Sequence, residues 1–146
     1  MEKIAKSIAD IENWFGDLEE IAIKKLEDLN DLKNFHSTSM ILFSIINRTI
    51  DIGEDIVAEK KLGFPSSYRE IFDILKKNGI IDEGLNKKLS ALVFYRNLFA
   101  HEYYSFTEKD VYAALKKVKG VRMFLKKTKE VLKEDQKKKS KKKTKK

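Results

Sequence analysis

The 146-residue chain has no cysteine, one proline and six glycines. Without thiols it can make no disulfide, no thiolate nucleophile and no cysteine-ligated zinc site, a usage that fits a cytoplasmic protein. Histidine is nearly as scarce. With only His36 and His101 present, a protein-built transition-metal site would depend on carboxylates. Asp51 and Glu54 lie close in sequence, but their surroundings lack the rest of an oxygen cage. No apolar run reaches the roughly 18 residues that a bilayer demands, and the richest, 40–46, falls far short. The first residues are charged, unlike the apolar core of a secretory leader. These lacks predict a cytoplasmic protein with no cofactor, no metal and no membrane partner. The shortage of proline and glycine leaves long helices unbroken.

Net charge is also missing from most of the chain. The formal value is +8, but residues 137–146 read KKKSKKKTKK and hold eight of the 31 basic residues, leaving 23 against 23 acidic ones. Such a run repels itself. It predicts one helical domain over 1–134 followed by a disordered lysine-rich tail over 135–146. The tail reads equally as a solubility appendage and as a non-specific tether to RNA or a membrane surface acting through counterion release.

What is there is helical periodicity. Ile4, Ile8, Ile11, Phe15 and Leu18 predict a first helix over about 2–29, with Gly16 a point where it kinks or divides. A second, central helix over about 31–61 is apolar on more than one side and stops at Gly63-Phe64-Pro65. Ser67 to Glu70 is a capping box that opens a third helix, ended by Asn78-Gly79. Asp82 caps a fourth, with Leu85, Leu89, Leu92 and Val93 turned inward. Thr107 and Asp110 cap a fifth, which runs to about 133. No repeat and no strand-like alternation appears. The expected fold is all-α, an up-and-down bundle of about five helices.

The fourth helix carries the most chemistry, in Arg96-Asn97-Leu98-Phe99-Ala100-His101-Glu102-Tyr103. Arg is a permanent cation whose planar fork matches phosphate oxygens. His alone titrates unperturbed between about pH 5 and 8. Asn97 and His101 are four residues apart and share a face, whereas Arg96 and His101 are about 140° apart with the small Ala100 between them. RNA cleavage by its own 2′-hydroxyl needs a base, a cation for the phosphoryl oxygens and an acid for the leaving oxygen. One His cannot readily serve as base and acid together, so the chemistry points to a two-fold dimer that supplies Arg96 and His101 twice. The same pair also reads as a structural cap or ion pair. Asn47, Asp51 and Asp55 form a polar stripe on the second helix, from which Asp51 is expected to orient Arg96 or His101.

Arg, four residues, His, one residue, Tyr resembles the signature of the HepT-like branch of HEPN-domain proteins. The stretches IDIGEDIVAEKKLGFPSSY, SYREIFDILKKNGIIDEGLNKKLSALVFYRNLFAHEYY and DVYAALKKV resemble that family in register with the motif, over about 1–133. The resemblance implies a dimerising all-α domain that acts as a metal-independent endoribonuclease toxin. It implies an MntA-like nucleotidyltransferase antitoxin as partner, which adds AMP units to the motif tyrosine. Arg96 becomes the phosphate clamp, His101 the general acid/base, Asn97 the supporting polar neighbour and Tyr103 the modified residue. The family does not require the lysine tail, and Tyr104 places a second hydroxyl beside Tyr103. The alternative is a non-catalytic HEPN module that only holds a nucleotidyltransferase or RNA.

Overall fold

In the computed structural model, which describes residues 2–101 and 105–144 with side chains as far as 141, four of the helices begin where a side chain satisfies orphan N–H groups. Six α-helices are formed among those residues: α1 (Glu2–Ile21), α2 (Leu32–Glu59), α3 (Tyr68–Lys77), α4 (Glu83–His101), α5 (Glu108–Lys117) and α6 (Val121–Thr144). Asp31 accepts the Asn34 N–H at the start of α2 (3.0 Å). Ser67 accepts the Glu70 N–H at the start of α3 (3.2 Å), and Asp82 accepts the Leu85 N–H at the start of α4 (2.7 Å). The Asp110 carboxylate accepts the Thr107 N–H at the start of α5 (2.8 Å). The bundle is all-α, as its periodicity predicts, with no strand among the described residues.

α2 is the axis. It buries Leu42, Ile45, Ile46, Ile50, Ile52, Ile56 and Val57 and packs against α1, α3, α4 and α5. Side chains on several of its faces are therefore removed from water, each large aliphatic one contributing about 1.5–3 kcal/mol. α1 lays Ile4, Ile8, Ile11 and Phe15 along it. α3 comes especially close, because a Cβ on Gly53 would sit 2.7 Å from Cγ2 of Ile71 and 3.4 Å from the Phe72 ring. That glycine sets the approach of α3 to α2, and with it the position of Tyr68 at the first turn of α3.

Three boundaries differ from the expected ones. The first helix ends at Ile21, not near 29, and Gly16 sits inside unbroken helix. The break falls at Ala22 (φ +57), after which the Asp28 carboxylate accepts the N–H groups of Lys24 (2.8 Å) and Lys25 (3.1 Å). That carboxylate holds a 3₁₀ turn, Leu26–Asn30, in place of another helical turn. The fifth expected helix is divided by a second 3₁₀ turn, Val118–Gly120, into α5 and α6. Finally, α6 runs on to Thr144, so residues 135–144 are helical where charge repulsion predicts disorder. Lys is a good helix former, and Lys60 donates to Asp135 (3.0 Å), fastening α6 to the end of α2.

Candidate functional site

The last two turns of α4 leave the core. Val93 and Phe99 are buried and hold the helix down, Arg96 is half-buried, and Asn97 and His101 are exposed. Between these turns, the second half of α2 and the loop leading into α3 lies a groove of about 630 Å³. Its walls include Arg96, Asn97 and His101 from α4, Glu54 from α2, and Tyr68 and Arg69 from α3. The small angular gap left by Ala100 lets both the guanidinium and the imidazole reach this one space.

The arginine is held from three sides. Its Nε donates to Oδ1 of Asn47 (3.1 Å), and its Nη1 donates to Oδ1 of Asn97 (3.3 Å). Its guanidinium carbon lies 4.9 Å from the centre of the Tyr68 ring, a cation–π contact. Of the five N–H donors of a guanidinium, these two bonds use two. The plane of the fork is thus set by neutral partners, which leaves its charge unneutralised by them. A cation of this kind, half-desolvated and pre-oriented, is suited to a phosphate.

Asn97 was expected beside the arginine and is there. Asp51 was expected to orient Arg96 or His101. It is half-buried one turn beyond Asn47 and makes no hydrogen bond to either among the described residues; Asn47 holds Arg96 instead. The stripe of Asn47, Asp51 and Asp55 is therefore split by function. Asn47 serves the groove, while Asp55 pairs with Lys3 (3.4 Å) and keeps its second oxygen buried without a partner among the described residues. A neutral amide suits the position better than a carboxylate, which would cancel the charge that it orients. Tyr68, at the first turn of α3, forms the floor beneath Arg96. Its spacing within an apolar helix face gives no sign of that role.

The loop wall is tied down by Glu70. Its carboxylate accepts hydrogen bonds from the hydroxyl and the N–H of Ser66, which hold it below its ordinary pKa. On the far side of α4, the Tyr95 phenol is pushed up by burial and, less strongly, by the charge of Asp110. His36 is exposed on α2 with its ring edge-on to Phe35 (5.3 Å) and does not line the groove. Tyr103, with Tyr104 beside it, lies outside the described residues. Among the described residues no cluster of three or more His, Asp or Glu is placed to hold a metal ion, and no helix is long and apolar enough to cross a membrane.

Comparison with known proteins adds sequence and fold evidence. The family model described as ribonuclease HepT-like matches residues 4–138. An mRNA nuclease HepT of Shewanella oneidensis is 37% identical over 54 residues, 37% of this chain. The match spans 41% of that relative's length. Among solved structures, YutE of Bacillus subtilis, a cytosolic protein of unknown function, superposes with a TM-score of 0.81 at 21% identity, covering 92% of this chain and 91% of that one. The tri-AMPylated HEPN toxin of Shewanella oneidensis, in complex with MNT antitoxin, superposes with a TM-score of 0.78 at 23% identity. That pairing covers 88% of this chain and 98% of the toxin. Likenesses of this degree establish a shared helical fold.

Proposed function

Because this chain belongs to the ribonuclease HepT-like family, we propose that it is the toxin of a toxin–antitoxin pair, a metal-independent endoribonuclease acting in the cytoplasm. The observation that carries the reading is that Arg96 and His101, from two turns of one helix, face one solvent-reachable groove. Arg96 clamps the scissile phosphate through the donors that Asn47 and Asn97 leave over, and stabilises charge building on the phosphoryl oxygens. The imidazole takes the proton of the 2′-hydroxyl as that oxygen attacks phosphorus. The bond from phosphorus to the 5′-oxygen breaks, and an acid returns a proton to the departing oxygen. The products are a 2′,3′-cyclic phosphate and a 5′-hydroxyl.

Base and acid are two groups, and one groove supplies one imidazole. We assign the second to another copy of the chain, in a homodimer whose cleft collects two Arg96 and two His101. The surface beside the groove favours this. Phe94 (53% exposed) precedes Asn97 and His101 on one face of α4, and Leu32 (70%) and Met40 (67%) share with Asn47 one face of α2. Apolar side chains so exposed suit burial against a second subunit.

The antitoxin partner in this reading is an MntA-like nucleotidyltransferase that adenylylates Tyr103. The support is the Shewanella toxin of the same fold, described as tri-AMPylated and bound to its MNT antitoxin. Phosphates attached two residues after His101 would put negative charge within reach of Arg96 and deny the cation to RNA. The test is digestion of total cellular RNA in EDTA. Wild type should cut and leave cyclic phosphate ends, whereas His101→Ala should lose about 10²–10⁴-fold in rate with an unchanged melting temperature. Equal cutting by both proteins, or none by the wild type, would leave only the non-catalytic binding module.

A further inference from the structure

The groove carries a second permanent cation that the cleavage chemistry does not use. Arg69, the second residue of α3, lines the same space as Arg96, but from α3 and not from α4. Tyr68 stands between them. Its ring centre lies 4.9 Å from the Arg96 guanidinium carbon, and Arg69 follows it with a Cα about 3.8 Å further along the chain. The backbone there is pinned: Ser67 accepts the Glu70 N–H (3.2 Å), and the Glu70 carboxylate in turn accepts from the hydroxyl and the N–H of Ser66. The fold gives no reason for a cation at this position. Arg69 is exposed and makes no ion pair or hydrogen bond among the described residues. In the first turn of a helix a positive side chain opposes the macrodipole, so it weakens α3 where it stands. Glu54, also on the groove wall, pairs with neither arginine among the described residues. Among those residues the groove thus holds two permanent positive charges against one negative, whereas residues 1–136 together carry 23 of each sign.

We propose that Arg69 binds the phosphate next to the scissile one, so that the groove holds two consecutive phosphates of a single strand. This rests on the RNA reading of the groove, but not on the catalytic step. The two arginines differ as two such roles require. Arg96 is half-buried and set by Asn47, Asn97 and Tyr68, which suits charge building at the reacting phosphorus, to be met without reorganisation. Arg69 has its five donors unengaged by the described residues, which suits a phosphate that is held and does not react. Its freedom also limits its effect, because an exposed arginine loses rotamer entropy when it is fixed on a ligand. A charge-assisted contact of this kind should add about tenfold to affinity, far less than the reacting groups add to rate.

The test measures what one added phosphate contributes. The ligands are the dinucleotide UpA, whose single phosphate is the scissile one, and UpA with a further phosphate at its 5′ or its 3′ end. Affinities are measured on the full-length His101→Ala protein, so that the ligand stays intact, and on the same protein with Arg69→Ala, Arg69→Lys or Lys116→Ala added. One of the two end phosphates should tighten binding to the parent about tenfold. With Arg69→Ala that ligand should bind no better than UpA, and UpA itself should bind as it does to the parent. Arg69→Lys keeps the charge but not the fork and should keep part of the gain. Lys116 lines a different depression, between α1 and α5, so Lys116→Ala should keep all of it. For an oligouridylate of about twenty nucleotides, Arg69→Ala should reduce the slope of log affinity against log salt by about 0.7. A gain that survives Arg69→Ala, or that Lys116→Ala also abolishes, would overturn the site. So would an equal loss for all three dinucleotides with dissociation seen in sedimentation, which would make Arg69 a contact between subunits. Cleavage of UpA by the wild type reports on the nuclease reading separately. No cutting, with a gain that depends on Arg69, leaves the phosphate site in a binding module. Cutting, with a gain that does not depend on Arg69, removes the site alone.

Discussion

α4 has two halves with opposite work. From Leu85 to Val93 it is core: Leu85, Leu89, Leu92 and Val93 are buried, and even buried Asn86 is satisfied by Asp73 (3.0 Å) and Ser90 (3.1 Å). From Phe94 to His101 only Phe99 is buried, while Arg96, Asn97 and His101 turn to the groove and Phe94 to solvent. The first half makes no chemistry and the second adds little burial. A rigid helix links them, so packing at one end fixes the geometry of a cation and an imidazole at the other. Stability and activity should then separate along a single helix.

The sharpest break in that comparison comes from Leu89, which has no exposed surface. Leu89→Ala should cost about 2–5 kcal/mol, read as a lower denaturation midpoint, while RNA cleavage per folded molecule stays within a few-fold. A catalytic loss as large as that of His101→Ala, in protein that is still folded, would erase the division. A smaller effect of the opposite kind belongs to Asn47, a positioning residue for Arg96. Asn47→Ala should lower kcat/KM about tenfold, or ~1.4 kcal/mol, mainly through KM. An unchanged KM would show that Tyr68 and Asn97 suffice to hold the guanidinium.

The weakest effect concerns the loop wall. Glu70 is held below its ordinary carboxylate pKa of 4.5 by the hydrogen bonds from Ser66. A carboxylate lowered in the folded state stabilises it fully above the ordinary value, and that contribution disappears as pH falls through the folded value. The loop at Ser66 and Ser67 should therefore loosen only at a pH below that ordinary value, seen as shifted backbone amide resonances with the core unaffected. In Glu70→Gln the same amides should show no such titration. A transition that persists there would assign the effect to another carboxylate.

Helix starts were the most legible features of the chain, because a cap is a local matter. Ser67, Asp82 and Thr107 with Asp110 were read as caps and act within three residues of themselves, as does Asp31 at the start of α2. Ala22 was not legible, since nothing in an alanine signals φ +57; the turn is imposed by Asp28, six residues on. Arg96 and His101 stood out by their chemistry, and Asn97 by adjacency. The stripe containing Asn47 and Asp51 was visible too, but not which member would meet Arg96. That depends on the rotation and depth of α4 against α2, with 49 residues separating Asn47 from Arg96.

The amino-acid sequence by itself determined that this protein is a helical bundle, where most of its helices begin, and which cation and imidazole stand out. Those properties follow from periodicity, capping and side-chain chemistry, all of which act over a few residues. Only the tertiary structure decided that Asn47 and Tyr68 complete the setting of Arg96. Such pairings join residues distant along the chain. They are fixed by how closely helices approach, here by the missing side chain of Gly53 that lets α3 rest on α2.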